Sequence, residues 1–429
     1  MTDRTSVELF AGGGGLAMAV HKAGFRPLLL NEFARHACDT LLANNIELRG
    51  EEERIPERGD KWPLVPGDVQ DLKMGYLQGR VDVLAGGPPC QPFSLGGVAK
   101  GDEDKRNMFP EMFRAVREIQ PKVVICENVR GLLRASFKPY FDYIVRELGL
   151  PFLERDPESS WESHDKALRE TEIASVDPTK RYDVVMTPVN AADYGVPQIR
   201  NRVIIVAFRA DLGVDLDTFK ALIRPTHSEA ALHGSIRDGR YWKRHPGVPD
   251  HVRARVEAAL PDVLPGVNPD DGLLPWRTLR DALKGGKGEK SLPDIPEHRL
   301  DRQEFDEEKY TYHVGWPDAR IYPGHTPNVL DRPAKTVKAG VHGVPGGESV
   351  MLTDELVKDP TSSPDGYRYR HRYMTVRETA RVMTFPDRWK LSGPRGEKMR
   401  QLGNAVPVAL GKVFADAVAK CLDGVAAES

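Results

Sequence analysis

From the start of the chain to about Arg209, short apolar runs alternate with amphipathic stretches. Val7–Phe10, Pro27–Leu30, Val81–Ala85, Val123–Cys126, Val184–Met186 and Val203–Val206 read as strands. Several are continuously apolar, as parallel strands covered on both faces must be. The intervening pattern predicts helices over Leu16–Ala23, Ala34–Asn44, Met108–Ile119 and Tyr140–Leu148, with Gly24, Pro121 and Gly149 as stop signals. Strands alternating with helices predict a doubly wound α/β sheet of the Rossmann-like kind. Two charged stretches, Glu47–Lys61 and Glu154–Lys180, break the rhythm and read as surface insertions without assigned chemistry. After Asp211 periodicity fades and Pro and Gly become frequent, yet Trp242, Trp276, Tyr310, Tyr312, Trp316 and Tyr322 supply aromatic surface to pack. A second, smaller, loop-rich domain is therefore expected rather than a linker. Regularity returns at Thr375–Met383, and a last helix is expected from Pro407. The expected division is 1–210, 211–371 and 372–429, the last part returning to the first domain.

Composition narrows the class. With 429 residues, 40% hydrophobic and 29% charged, the chain has the make-up of a soluble globular protein. Cys38, Cys90, Cys126 and Cys421 form no CxxC pair, so neither a zinc site nor a disulfide framework is expected, and a reducing cytoplasm is. Neither a secretory signal nor a membrane span is legible. A net charge of −2 leaves nucleic acid open as a partner, because a polyanion needs only a locally basic face.

Three constellations carry chemistry. Phe10-Ala11-Gly12-Gly13-Gly14-Gly15 stands between a strand and a helix, where glycines let a ligand approach the backbone. Glu32, about 20 positions on, stands where a carboxylate holds ribose hydroxyls, and Asp68 supplies a second carboxylate. The run departs from GxGxxG, and pattern alone leaves a nicotinamide dinucleotide and an adenosyl cofactor both open. Second, Gly87-Pro88-Pro89-Cys90 presents a thiol on a stiff loop after one strand, and Glu127-Asn128-Val129 follows another. In a parallel sheet both loops emerge at the carboxyl edge, so thiol and carboxylate can share a pocket. Third, Gln198-Ile199-Arg200-Asn201-Arg202 places two arginines on one side of the chain as it enters a strand. Taken singly, each piece has a plain structural reading: an unliganded turn, a solvated carboxylate, two surface arginines.

In this order the pieces resemble the DNA (cytosine-5)-methyltransferase family, over residues 5 to 208 and 372 to 420. Phe10, Ala11, Gly12, Gly14 and Gly15 are similar to its cofactor loop; Asn31-Glu32 and Asp68-Val69 to its next cofactor contacts. Pro88-Pro89-Cys90-Gln91 with Ser94 resembles its nucleophile loop, Glu127-Asn128-Val129 its acid motif, and Gln198, Arg200 and Arg202 its double-arginine motif. Arg377-Glu378, Ala380-Arg381 and Phe385-Pro386-Asp387 resemble its closing segment. Asn404-Ala405-Val406 resembles its last motif, which lies beside the cofactor.

The resemblance implies S-adenosylmethionine as cofactor, S-adenosylhomocysteine as product, no metal, and double-stranded DNA as substrate. It also implies a monomer, with a cognate restriction endonuclease as functional partner or a solitary role. Cys90 thiolate would add to carbon 6 of a cytosine flipped from the helix while Glu127 donates a proton to nitrogen 3, making carbon 5 electron-rich. Pro89, Asn128, Arg200 and Arg202 would position the loop and base. Pro88 would also touch the cofactor, and Gln91, Ser94, Gln198 and Thr336 the substrate. Thr336 stands in Arg332-Pro333-Ala334-Lys335-Thr336-Val337, which is similar to a threonine motif of the family's target-recognition domain. Arg237, Arg240, Lys243, Arg244, Arg368, Arg370, His371 and Arg372 are candidates for phosphate contact, and the glycines of 340–347 for close approach to a groove. Three rival readings stand beside this one. They are the tRNA-modifying branch of the family, a DNA-binding relative without catalysis, and a nicotinamide dehydrogenase, which leaves the Pro-Pro-Cys loop unexplained. An enzyme aminomethylating an exocyclic nitrogen requires an aromatic residue at Cys90.

Overall fold

An eight-stranded sheet organises the first half of the chain, in the order β3-β4-β2-β1-β5-β6-β8-β7. The computed structural model describes residues 3–49, 53–89, 107–262, 271–285, 290–295, 312–339, 349–361 and 366–428. The strands are β1 (Arg4–Leu9), β2 (Phe25–Glu32), β3 (Ile46–Leu48), β4 (Trp62–Pro66), β5 (Val83–Gly86), β6 (Val123–Val129), β7 (Tyr182–Asn190) and β8 (Asn201–Arg209). From β3 through β6 neighbouring strands are parallel, and β8 runs antiparallel to β6. Helices α1 (Gly15–Lys22), α2 (Arg35–Leu42), α3 (Phe109–Ile119), α4 (Lys138–Gly149), α5 (Trp161–Glu170) and α6 (Leu216–Leu222) accompany the sheet. The doubly wound α/β expectation holds, and all six predicted strands are present.

Helix α3 shows why these segments fold as they do. Phe109, Met112, Phe113, Val116 and Ile119 recur at helical spacing and are all buried. Pro110 occupies the first turn, where its missing N–H costs nothing, and Gln120 ends the helix in the left-handed region.

Two expectations need correction. The charged stretch 154–180 is not merely a surface insertion, because α5 is capped by Ser160 and buries Leu168, while Trp161 packs edge-on against Tyr140 at 5.2 Å. The stretch 47–61 joins two strands that sequence reading missed. β4 reads Trp62-Pro63-Leu64-Val65-Pro66, and its two prolines argue against a strand by pattern, although it sits between β2 and β3.

By contact the chain divides into two compact units, one of residues 1–189, 201–224 and 411–429, the other of 190–200 and 225–410. These bounds differ from the division at 210 and 371. In the first unit, α6 turns Phe219 onto Phe208 of β8 at 5.0 Å, which carries the unit past residue 210. The second unit is a folded body with its own core, in which Leu232, Ile236, Tyr241, Trp242, Val248, Val252 and Trp276 pack together. It holds β9 (His227–Ser228), α7 (Glu229–Arg237), α8 (Arg240–Arg244), α9 (Asp250–Ala258), β10 (Leu274–Pro275) and α10 (Leu279–Lys284). After these come β11 (Val350–Lys358), β12 (Tyr367–Tyr373), α11 (Val376–Val382) and α12 (Arg395–Asn404). The last helix, α13 (Val408–Glu428), begins one residue after Pro407.

Candidate active site

The register of the sheet assembles the site. Leu9 pairs with Gly86 and Gly86 with Cys126, so Phe10 and Gly87, the first residues past β1 and β5, come level with Glu127 of β6 at one edge. That edge is where ligands bind in open α/β sheets. A Cβ built on Gly87 would stand 3.8 Å from Oε2 of Glu127, so the carboxyl lies beside the start of the Pro-Pro-Cys segment. Because β8 is antiparallel, its first residues reach the same edge, with Arg202 opposite Val129. Residues two apart on a strand share a face, which puts Arg202 on the face of Glu127. Their side chains meet, with Nε 2.8 Å from Oε1, and both are close to nine-tenths buried. The contact is an ion pair without an aligned hydrogen bond, so Oε1 keeps its acceptor capacity.

The described residues on either side of Cys90 are held by hydrogen bonds. Asn128 Nδ2 donates to the Pro88 carbonyl at 3.0 Å, and the Met108 amide donates to the Pro89 carbonyl at 3.2 Å. Cys90, Gln91 and Ser94 lie outside the described residues, as do residues 340–347. Pro88 is buried and Pro89 exposed.

Along the same edge the glycine-rich turn forms a cradle. Phe10, Gly12 and Gly14 all adopt positive φ, at 57°, 55° and 85°. For Phe10 this is a strained conformation, held by the surrounding turn. The Gly12 amide donates to Oε2 of Glu32 at 2.6 Å, while Oε1 accepts from the amides of Phe33 and Ala34 at 2.9 and 2.7 Å. Glu32 therefore organises the turn, with one lone pair left on Oε2 for a ligand. Gly14 caps α1 without any side-chain bond, and the amides of that first turn form a polar, positive end. Asn31 is buried, its Nδ2 donating to the carbonyls of Val65 and Gly67 at 3.0 and 3.2 Å, so it braces β4 beside Asp68. Asp68 is half-buried and accepts from Gln70, and Val69 is buried.

Several expected residues belong to the second unit. Gln198 and Arg200 are buried in the second unit, at 0% and 1% exposure. Gln198 accepts from the Val337 amide at 3.0 Å; Arg200 donates to the carbonyls of Val337, Gly403 and Ala405 at 3.0, 2.7 and 2.9 Å. Thr336 donates its hydroxyl to the Ile199 carbonyl at 2.7 Å. The two arginines thus differ: Arg202 faces the carboxylate, whereas Arg200 ties backbone segments together. In the same unit Asn404 is exposed and Ala405 and Val406 are buried. Most candidate phosphate contacts are likewise engaged. Arg240 pairs with Asp238, Arg244 with Asp281, Arg368 with Asp359, Arg370 with Glu355 and Arg372 with Glu378, while Arg237 donates to the Pro261 carbonyl. His371 is bonded to the Ala319 carbonyl, and Lys243 is exposed.

Sequence reading missed three residues of the first unit. Phe33, directly after Glu32, is 75% exposed, an aromatic at a strand end whose adjacency to the acid was the available signal. Glu8 is fully buried under the turn, and burial pushes its carboxyl well above the ordinary range. Arg49 lines a cavity with Asn31 and Asp68. Among the described residues no cluster could hold a metal ion, and no helix is long and apolar enough to cross a membrane.

The model of the C-5 cytosine-specific DNA methylase family matches residues 4–149 and 164–420. The chain is 31% identical to the Type II methyltransferase M.Eco47II of Escherichia coli, over 98% of this chain and 79% of that one. With M.PspPI of Psychrobacter sp. the identity is 30%, over 97% and 79%. The S. pombe Dnmt2 methyltransferase structure shares the fold at TM-score 0.51 and 15% identity, over 98% of this chain and 99% of that one. The chain belongs to the C-5 cytosine-specific DNA methylase family.

Proposed function

We propose that the protein methylates carbon 5 of one cytosine within a specific sequence of double-stranded DNA, using Cys90 as nucleophile, and that it serves as the modifying half of a restriction-modification pair. The supporting observation is the convergence of the Pro88-Pro89 segment, Glu127 and Arg202 at one sheet edge beside the glycine-rich cradle.

The cradle fits an adenosyl cofactor. Positive-φ backbone at Gly12 and Gly14, the uncapped end of α1, the spare acceptor on Glu32 and the carboxylate of Asp68 match a ligand with hydroxyls, an amino acid end and a base. Phe10, Ala11, Gly12, Gly14, Gly15, Glu32, Asp68 and Val69 would hold it, with Asn31 bracing the wall and the exposed ring of Phe33 offering a stacking face. Pro88 would complete the enclosure within this unit. When bound, S-adenosylmethionine supplies an electrophilic methyl group.

The protein's own residues prepare the base. Cys90 thiolate forms a bond to carbon 6, and the electrons of the 5,6 double bond move toward carbon 5 as Glu127 delivers a proton to nitrogen 3. Arg202 holds the carboxyl in place and pairs with it whenever it is ionised. Once carbon 5 is substituted, its proton leaves to water, the carbon–sulfur bond breaks as the double bond returns, and nitrogen 3 gives its proton back to Glu127. Asn128 keeps the nucleophile's segment in register through the Pro88 carbonyl.

DNA is favoured over tRNA because two relatives at 30% identity or more are Type II methyltransferases, and because the second unit is a substantial folded body available for target recognition. Incubation with tritiated methyl donor and either DNA or tRNA, followed by bisulfite sequencing, tests this. Label in DNA at one sequence context is expected; label only in tRNA would overturn the DNA reading. DNA carrying 5-fluorocytosine at the target should trap the protein covalently, and a trap surviving Cys90→Ala would remove Cys90 from its role.

A further inference from the structure

The cations expected to contact phosphate are mostly paired with carboxylates of the second unit, whereas the first unit carries a basic segment that no motif accounts for. Between Glu127 and Asp142 the only charged residues are Arg130, Arg134 and Lys138, spaced four apart. All three are exposed. The segment leaves the sheet at the end of β6, passes through a single 3₁₀ turn at Arg130–Leu133 and enters α4. That is the edge at which Glu127 meets Arg202.

Apolar neighbours anchor the segment. Leu132 is fully buried, and Leu133 and Phe137 pack against the same core, so the cations stand on a backbone whose ordering is already complete. Arg130 Nη1 donates to Oδ1 of the exposed Asn201 at 3.4 Å, one step outward from the pairing of Val129 with Arg202. Among the described residues no carboxylate pairs with Arg130 or Arg134. Lys138 pairs with Asp142 at 2.7 Å, but both are exposed and such a pair contributes little. Lys138 also stands in the first turn of α4, which contains no acid, so its charge opposes the helix dipole. Three cations so placed do little for stability and much for the capture of a polyanion. Three residues of extended chain, about 10 Å, separate Arg130 from Glu127. A base held at Glu127 brings its own sugar and phosphates to just outside that carboxyl, on the side of Arg130 and Asn201.

We propose that Arg130, Arg134, Lys138 and Asn201 bind the phosphate backbone of duplex DNA beside the reacting cytosine. This rests on DNA being the substrate, so the test separates the two. Phosphate contacts carry no sequence information, so a labelled duplex of arbitrary sequence serves as probe, with fluorescence anisotropy of the full chain read at successive salt concentrations. Loss of one contact lowers the slope of log Kd against log salt by about 0.9 and weakens binding about eightfold at about 0.1 M salt. Arg130→Gln and Arg134→Gln should each do this and the double variant should change the slope twice as far, whereas Arg134→Lys should keep the slope of the unaltered chain. Affinity for S-adenosylhomocysteine and the melting temperature should not move. Lys122→Gln removes the same charge at the opposite end of β6, where Lys122 pairs with Asp82, and should leave the slope unaltered. If it lowers the slope as much as Arg134→Gln does, net charge is responsible and the surface is refuted. If the unaltered chain binds duplex DNA and both arginine variants keep its slope, the surface is refuted and the DNA reading stands. If the unaltered chain fails to bind duplex DNA, whether or not it binds tRNA, both fall. Should Arg130→Gln not fold, Arg134→Gln decides alone.

Discussion

Arg202 and Glu127 form an ion pair of 2.8 Å at the edge of the sheet, although 75 residues separate them in sequence. The antiparallel turn of β8 creates this pair, since a parallel strand would bring its other end to the same place. Removing the guanidinium would strand a buried carboxylate. Arg202→Ala is therefore expected to lower the single-turnover rate of methyl transfer about 100-fold, on the scale of a general acid held out of place. Arg202→Lys should recover part of that loss, and cofactor affinity measured by titration should be unchanged in both.

Gly403 is required by space rather than by backbone conformation. A Cβ there would stand 2.4 Å from the Ala339 nitrogen and 2.5 Å from the Lys338 carbonyl carbon, both backbone atoms that cannot swing aside. Gly403→Ala should destabilise the protein by about 2 kcal/mol or more, seen as a lower denaturation midpoint. Gly424, in α13 with nothing within 4 Å of its Cβ position, is the contrast: Gly424→Ala should leave stability equal or slightly higher.

Acid should act on the second unit through Glu378. Burial opposes its ionisation, but the Arg372 guanidinium, bonded to both its oxygens at 2.8 and 2.7 Å, outweighs burial and holds the carboxyl at about 2 against an ordinary 4.5. A depressed folded-state value gives stability that is complete above about pH 4.5 and is lost as pH falls toward 2. Glu378→Gln should flatten the stability profile across that window, as followed by the denaturation midpoint at successive pH values.

Glu8 acts in the opposite sense. Burial raises its carboxyl, the amide of Ala17 partly offsets this, and nearby Glu32 raises it again; Oε2 has no hydrogen-bond partner. Above the ordinary value of 4.5 the unfolded chain releases a proton that the folded chain retains, so stability falls as pH rises until the folded-state group also ionises. Glu8→Gln should raise the melting temperature of the ligand-free protein at neutral pH and remove that slope.

Much of the first unit was legible because its strands are apolar runs and its helices carry clear stops. β4 escaped because two prolines disguise a strand that the sheet nevertheless accepts. β12 escaped because its alternation pairs tyrosine with arginine, Tyr367-Arg368-Tyr369-Arg370, a pattern that reads as solvated until ion pairs to Asp359 and Glu355 are seen. The carboxylate at Glu127 and the turn at Gly12 were legible as strand-end residues. The difference between Arg200 and Arg202 was not, since alternation places both on one side and only packing separates a backbone tie from a carboxylate partner.

The Pro89 carbonyl and the Met108 amide are hydrogen-bonded to one another, so the 18 residues from Cys90 to Asn107 depart from and return to nearly the same point. Doubling the length of such an excursion costs only about 0.6 kcal/mol in closure entropy. The span can therefore lengthen, shorten or change its composition during evolution without moving the edge it springs from. Adaptation to different targets can draw on that freedom while the Glu127 carboxylate stays where it is.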